Sequence, residues 1–370
     1  MTECGIPDFN RSREYYQSIK NPVKYKLTIL EVLMKIGIHK GKGFSKQWIG
    51  YCKEKGIPYK IVDCYRSDIV QELSECDALM WHFRHDDYRD VLFAKQLIVS
   101  LQAAGKNVFP DFNTCWHFDD KIGQKYLLES INAPLVPSFV FYSRLDALEW
   151  VEKTNFPKVF KLRNGAGASN VQLVKTERES RALIHKAFGS GVSQFNRFGY
   201  LKDRVSKYKT GKDTVWGVLK GVGRLFIPTD FSKMHCREKG YVYFQDYIPG
   251  NAFDLRVIVI GNKAYGMKRL VRKGDFRASG SQDFVYDPID ENVLKIAFDV
   301  SKKLGFQVMA FDFIYDQGKP LIIEMSCFFG TKGSGKTKGY YTSDLQWHPG
   351  SFNPIEWIIE NLTQLPKETC

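Results

Sequence analysis

Residues 157–174 read Pro157-Lys-Val-Phe-Lys-Leu-Arg-Asn-Gly-Ala-Gly-Ala-Ser-Asn-Val-Gln-Leu-Val174. A short apolar run ends at Lys161, a loop of small residues carries Gly165 and Gly167, and a second apolar run follows. Both runs are short and rich in β-branched residues, so they predict two strands with a sharp bend between them. Glycine has no Cβ, and its N–H can approach an anion closely. A lysine beside such a loop predicts a phosphate held under a strand–turn–strand flap rather than at a helix N-terminus. On its own the loop is a weak signal, and its meaning depends on what the chain carries around it.

The chain has 370 residues, of which 44% are apolar and 14% aromatic. That is enough for two or three packed layers and more than one domain, and it argues against disorder. No run approaches the roughly 18 apolar residues of a membrane span. The first ten residues lack the basic-then-apolar pattern of a signal peptide. Eight cysteines are scattered with no Cys-x-x-Cys pair, so neither a zinc site nor a disulfide framework is expected, and the cytoplasm is the expected compartment. The net charge is +13. It serves solubility, or it points to an anionic partner such as a nucleotide, a phosphorylated sugar or an acidic membrane surface. No nucleic-acid motif is present, so nucleic acid is not an expected partner.

The first 115 or so residues alternate strand-like pieces (32–36, 59–62, 78–81, 107–109) with helix-like ones (44–55, 88–102), which implies an open α/β sheet. Gly41 to Lys46 has no full dinucleotide fingerprint and reads as the start of a helix. A helix over 121–131, a strand over 139–142 and a helix over 146–153 precede the opening loop; a helix over 177–188 follows it. Residues 189–240 break the pattern, with eleven Lys and Arg against four Asp and Glu. This stretch reads as a basic insertion: either a solvated face or a surface for an acidic substrate or lipid headgroup. Strands return at 241–248, 254–260, 263–271, 308–315 and 320–325. An amphipathic helix spans 290–304 and stops at Gly305, and a last helix spans 354–362 behind an Asn353 cap.

Two hairpins gather charge. A three-residue loop, Gln317 to Lys319, would pair Asp316 with Pro320 and set Asp312 opposite Glu324. One face then holds Asp312, Glu324 and Ser326; the other holds Phe311, Phe313, Tyr315, Leu321, Ile323 and Met325. Opposed carboxylates are unfavourable unless something compensates, and a divalent cation would. A solvated acidic pair is the other reading. A two-residue loop would turn Glu324 into the core. In the second hairpin a Gly261-Asn262 turn pairs Arg256 with Met267 and Asp254 with Arg269. Two arginines beside an acid suit phosphoryl oxygens, or form a structural ion pair. Arg272, Lys273 and Arg277 extend the basic edge.

Gly330-Thr-Lys-Gly-Ser-Gly-Lys336-Thr337 fits the Walker A pattern. A true P-loop needs a helix to follow. The next residues carry two glycines and a proline without helical periodicity, so this run reads as a flexible basic loop.

Taken in order, these pieces resemble the ATP-grasp superfamily, and within it the RimK-like carboxylate–amine ligases, over roughly residues 115–330. The resemblance implies an α/β (α+β) chain: an ATP-grasp fold preceded by an open α/β pre-ATP-grasp domain. Its parts are an N-terminal domain (1–116), a lid subdomain (117–188), the basic insertion (189–240) and a C-terminal subdomain (241–370). Lys121 and Lys161 match the family's nucleotide lysines, and Gly165, Gly167, Ala168 and Ser169 its flap over the phosphates. Gln245, Asp246, Tyr247 and Ile248 match the hinge that meets adenine through the backbone of Asp246 and Ile248. Asp254 would face ribose. Arg256, Arg269 and Arg277 would be the catalytic, substrate-side cations. Asp312, Glu324 and Ser326 would hold magnesium. Ser326 stands where the family usually has Asn, and Asn170 where the flap usually has Gly.

The implied reaction activates a carboxylate with ATP as an acyl phosphate and joins it to an amine, on an anionic sugar acid or glycan precursor. An ATP-grasp kinase and a non-catalytic ATP-binding module remain alternatives. ATP and Mg²⁺ are the implied cofactors. Peripheral membrane contact through the basic insertion is open, as is the oligomeric state.

Overall fold

In the computed structural model, which describes residues 34–165, 171–194, 201, 204, 205, 208, 214–226, 237–271, 275–277, 283–331 and 336–364, the chain from Met34 opens with four parallel strands. These are β1 (Ile36–His39), β2 (Tyr59–Val62), β3 (Ala78–Met80) and β4 (Asn107–Phe109), in the order β2-β1-β3-β4. Helices α1 (Ser45–Lys55), α2 (Ile69–Glu72) and α3 (Tyr88–Ala103) make the crossovers, and α4 (Phe112–Cys115) follows β4. The first strand lies later than the pattern predicted, at Ile36–His39 rather than 32–36, of which residues 32 and 33 lie outside the described part. Gly37 marks the true strand: a Cβ there would lie 2.5 Å from Leu73 Cδ2, so a larger residue would push the buried Leu73 side chain aside. The Gly41–Lys46 run does start a helix, with Phe44 at the N-cap of α1.

Helix α5 (Lys121–Ser130), capped by Asp120, leads to a second sheet. It consists of β5 (Ser138–Phe141), β6 (Lys158–Lys161), β7 (Val171–Val174) and β8 (Val242–Asp246), antiparallel in the order β5-β8-β6-β7. Helices α6 (Arg144–Lys153) and α7 (Glu177–Phe188) back it, each started by a hydroxyl cap, Ser143 and Thr176. Val151, Phe160, Val174, Ile184 and Phe244 form a core of its own. Within 189–240, Val192 and Glu238 exchange backbone hydrogen bonds of 2.9 Å, so the insertion leaves and returns at one point. It contains helix α8 (Val215–Phe226).

The largest sheet runs β13-β12-β9-β10-β14-β15, with β11 (Phe284–Val285) also on β10. Its strands are β9 (Phe253–Ile260), β10 (Lys263–Leu270), β12 (Val308–Asp316), β13 (Lys319–Ser326), β14 (Gly339–Thr342) and β15 (Trp347–Pro349). Helices α9 (Glu291–Leu304) and α10 (Pro354–Gln364) complete the described chain. One core joins this sheet to the parallel one. The Walker-like run leads through Thr337 into β14, not into a helix; residues 332–335 lie outside the described part.

The β12–β13 hairpin departs from the predicted register and still reaches the predicted opposition. Its turn has two residues, Gln317 (φ 49°) and Gly318 (φ 80°), and Asp316 pairs with Lys319, not Pro320. Positive φ at both centres suits the right-handed twist of the flanking strands. A β-bulge between Asp312 and Phe313 then takes up one residue, and Asp312 faces Glu324. The bulge corrects the face assignment: Ile322 is in the core in place of Leu321 and Ile323, since Leu321 now pairs with Ile314 of the cavity side and Ile323 lines the cavity itself. The β9–β10 register is as predicted, Arg256 with Met267 and Asp254 with Arg269.

Gly266 on β10 has no room for a methyl group, since a Cβ would sit 2.6 Å from the Arg256 carbonyl oxygen. Backbone cannot yield as a side chain can. Gly266→Ala is expected to cost about 1–3 kcal/mol, read as a lower urea midpoint with an unchanged slope.

Candidate functional site

Strands β6 and β8 are neighbours, with Lys158 opposite Asp246 and Lys161 opposite Tyr243. Lys161 is buried and its Nζ donates to Gln245 Oε1 at 2.5 Å. Gln245 in turn donates to Ser138 Oγ at 3.0 Å. Burial pushes the Lys161 ammonium down to about 8, so it keeps its proton at neutral pH with little margin. Lys158 Nζ binds Asp246 Oδ1 at 2.6 Å, which ties up the Asp246 side chain and leaves the strand end to present backbone.

The loop after β6 is held from below. Lys121, the first residue of α5, donates to the Gly165 carbonyl at 2.8 Å and lies 3.3 Å from Glu324 Oε1. Asp119 accepts from Gly165 N at 2.8 Å. Its φ of 54° is left-handed, a conformation that Asp tolerates better than most residues. Burial raises the Asp119 carboxyl above the usual range. The sequence reading missed Asp119, although the Asp119-Asp120 pair before a helix was its visible trace.

Across the cleft, β9, β10 and β12 bring four charged side chains together. Arg256 grips Asp312 with two hydrogen bonds, 2.7 and 2.8 Å. Arg269 grips Asp254 at 2.5 and 2.6 Å and also reaches Asp312 Oδ2 at 2.7 Å. Burial would raise Asp312, but the charges and hydrogen bonds of both arginines overcome it and hold its carboxyl well below the usual range. Asp254, expected towards ribose, accepts from Arg269 with both oxygens. Ser326 Oγ donates to the Phe328 carbonyl at 2.8 Å, within its own loop.

These groups surround a cavity of about 400 Å³. Of the predicted residues, Lys121, Lys161, Gly165, Gln245, Asp246, Tyr247, Ile248, Asp254, Arg269, Arg277, Asp312 and Glu324 line it. Gly167, Ala168, Ser169 and Asn170 lie outside the described residues, as do Arg272 and Lys273. One end is polar. The other has apolar walls, Val159, Val171 and Leu173 from the smaller antiparallel sheet and Phe253, Ile314 and Ile323 from the larger.

A second cavity, about 430 Å³, lies on the other side of Arg269, Asp312 and Glu324, which line both. Arg256 and Ser326 face this one. Its further walls are Gly43, the run His82–Asp86, Phe118 and Phe328 to Gly330. His82 stacks on Phe328 with ring centroids 4.3 Å apart, and burial lowers it to about 4, so it is neutral at pH 7. The sequence reading named none of the His82–Asp86 wall. Its signal was positional: the runs after β1 and β3 flank the point where the strand order reverses, where ligands bind in open α/β sheets.

Residues 232–344 match the RimK-like ATP-grasp domain. Among solved structures, a RimK domain ATP-grasp protein from Sphaerobacter thermophilus is 12% identical with a TM-score of 0.54, covering 89% of this chain and 99% of its own. N5-carboxyaminoimidazole ribonucleotide synthetase from Thermotoga maritima is 15% identical with a TM-score of 0.55 (90% and 76% covered). The biotin carboxylase domain of a Hydrogenobacter thermophilus 2-oxoglutarate carboxylase, solved with MgADP, ADP and bicarbonate, is 13% identical with a TM-score of 0.54 (90% and 70%). No curated protein matches the sequence. The chain has the ATP-grasp fold. The match to the RimK-like family model is confined to residues 232–344.

Arg269→Ala would leave Asp254 buried without its guanidinium and Asp312 with one arginine instead of two. A loss of about 3–5 kcal/mol is expected, measured by urea denaturation. Asp119→Ala should speed hydrogen exchange at Gly165, while Asp119→Asn, which keeps an acceptor, should not.

Proposed function

We propose that this chain is an ATP-dependent carboxylate–amine ligase. The observation that carries the reading is that two cavities share one wall, built of Arg269, Asp312 and Glu324 with Arg256 on the far side. One cavity has the lysines and apolar slot that suit a nucleotide; the other has room for the two joining substrates. The Hydrogenobacter neighbour, which holds MgADP and bicarbonate, supports the same division.

On this reading the adenine lies between Val159, Leu173, Ile314 and Ile323 and meets backbone of Asp246 and Ile248. Lys121 and Lys161 hold phosphate oxygens under the flap. A carboxylate oxygen from the second cavity attacks the γ-phosphorus, the β–γ bridging bond breaks, and ADP leaves. Amine nitrogen then attacks the acyl carbon, loses a proton, and phosphate departs. Arg256 and Arg269 face the transferring phosphoryl group and the tetrahedral oxyanion. The chain's basic balance favours an anionic sugar acid or glycan precursor as the carboxylate.

Magnesium fits the donors at hand. Asp312 and Glu324 face each other across β12 and β13, and among the described residues no cluster of three or more His, Cys, Asp or Glu forms a metal cage. Mg²⁺ takes one or two carboxylates and fills its shell with phosphate and water. Bound there, it would screen charge between β- and γ-phosphates.

Incubation with ATP, Mg²⁺ and a matrix of carboxylates and amines tests the reading. Phosphate release that requires both partners supports it. A phosphorylated hydroxyl product, or tight ATP binding with no turnover on any pair, overturns it. Arg256→Met should lower kcat by about 10²–10³. Lys161→Ala should weaken ATP binding, and Lys336→Ala should leave it unchanged.

The Lys161 pKa of about 8, against 10.5 for an ordinary lysine, sets a pH dependence. ATP requires the ammonium, so each proton must be restored on binding once the pH passes that value. ATP affinity should fall above about pH 8, by at most roughly tenfold per pH unit. Lys161→Arg, charged throughout, should flatten the profile in isothermal titration.

A further inference from the structure

Helix α8 is built inside out. Thr214 caps it, its hydroxyl accepting from Gly217 N at 3.2 Å. The face turned inward carries Gly217 and Gly221, both buried. A Cβ on Gly221 would lie 3.0 Å from Leu201 Cδ1 and 3.6 Å from Arg204. The opposite face carries the large apolar residues: Val215 is 56% exposed, Trp216 65%, Leu219 54% and Val222 41%. Their spacing of i, i+1, i+4 and i+7 puts them on one side of the helix. A surface helix of a globular protein does the reverse, burying its aliphatic stripe and showing its small and polar positions.

What covers this stripe is indicated by charge. The 189–240 insertion carries eleven Lys and Arg against four Asp and Glu. Lys220 Nζ lies 5.9 Å from the Trp216 ring centroid, an ammonium beside an indole at the rim of the apolar face. A helix with aliphatic and Trp residues on one side and cations beside them is the form that lies in a membrane interface, bound by buried apolar area and by attraction to anionic lipid. Among the described residues no helix is long or apolar enough to cross a membrane.

We infer that α8 is an interfacial anchor that seats the protein on an anionic phospholipid surface, with Val215, Trp216, Leu219 and Val222 in the headgroup–acyl boundary and Lys220 beside the lipid phosphates. None of the four belongs to the candidate active site, so the anchor is separable from the ligase reading. Its mode of attachment is reversible and salt-sensitive: apolar contact fixes depth, and charge selects the lipid. The helix sits on an excursion that starts and ends beside α7, so the contact does not occlude the cleft through any residue that lines it.

The test is co-sedimentation of the full chain with sucrose-loaded vesicles of phosphatidylcholine alone and of phosphatidylcholine mixed with the anionic lipid phosphatidylglycerol, at low and high salt. The expected result is pelleting with the anionic vesicles at low salt, at least tenfold weaker with neutral vesicles or in high salt. A double variant, Trp216→Ser with Leu219→Ser, should lose that binding while ATP binding and the urea midpoint stay as in the parent; both side chains are exposed, so folding is not at risk. Lys220→Glu should weaken binding less than the double variant. Failure of the parent chain to pellet with anionic vesicles overturns the inference. So does equal pelleting of the double variant, or an oligomer of the parent chain that the double variant disperses, since the stripe would then be covered by a second copy.

Discussion

Asp312 lies at the centre of the molecule's chemistry because two guanidinium groups meet on it. Arg256 comes from β9 and Arg269 from β10, while Asp312 itself is on β12, so one carboxylate ties three adjacent strands on the cleft side of the largest sheet. Removing these charges from water is costly, and only good geometry with full hydrogen bonding offsets that. Here the geometry is bidentate twice over, with Arg269 shared between Asp312 and Asp254. The arrangement also explains how the opposed acids are tolerated: the two arginines neutralise Asp312, and Lys121 stands by Glu324. A nucleotide with its metal would enter a site whose charges are already paired, and would have to exchange partners rather than find vacant ones.

The smaller antiparallel sheet is joined to this centre lightly. It has a separate core around Phe160 and Phe244, and its polar ties to the rest include Lys121 and Asp119 to Gly165, Arg163 to Asp120, Tyr142 to Tyr126, and backbone bonds of Pro134 and Val136 to Ile322. Contacts of that kind open locally at lower cost than a packed core does. The loop after β6 is thus attached to the smaller sheet with its separate core, while Arg256 and Arg269 are tied into the largest sheet by paired hydrogen bonds to Asp312 and Asp254.

Much of this was legible in the residues. The two short β-branched runs around Lys161 and Val171 marked a pair of strands, and the structure has them as β6 and β7. The β9–β10 register followed from a two-residue Gly-Asn turn, and the apolar alternation told which side the charges shared. What escaped the sequence was set by distance in the fold. Asp119 matters only because α5 starts under the loop after β6. The His82–Asp86 wall matters only because the parallel sheet brings its strand ends against the larger one. The strand at Ile36 was shifted in the reading because glycine lowers strand propensity, and the close approach to Leu73 that favours it comes from α2, far along the chain. The Walker-like run shows the converse: eight matching letters mean nothing when the next element is β14.

The bulge in β13 has a further consequence for how this hairpin can vary. Eleven residues separate Asp312 from Glu324, an odd number, whereas a regular hairpin with a two-residue turn leaves an even number between opposed residues, as between Asp254 and Arg269. The slack of one residue can be taken up in a three-residue turn or, as here, in a tight turn with a bulge. The two solutions are equivalent for the carboxylates but not for the cavity between the sheets, because only the bulged one rotates Ile323 out of the core and into the apolar wall. A hairpin transplanted from a relative would therefore have to bring its turn and its bulge as one inheritance; exchanging the turn alone would change the parity of the strand and invert every side chain beyond it.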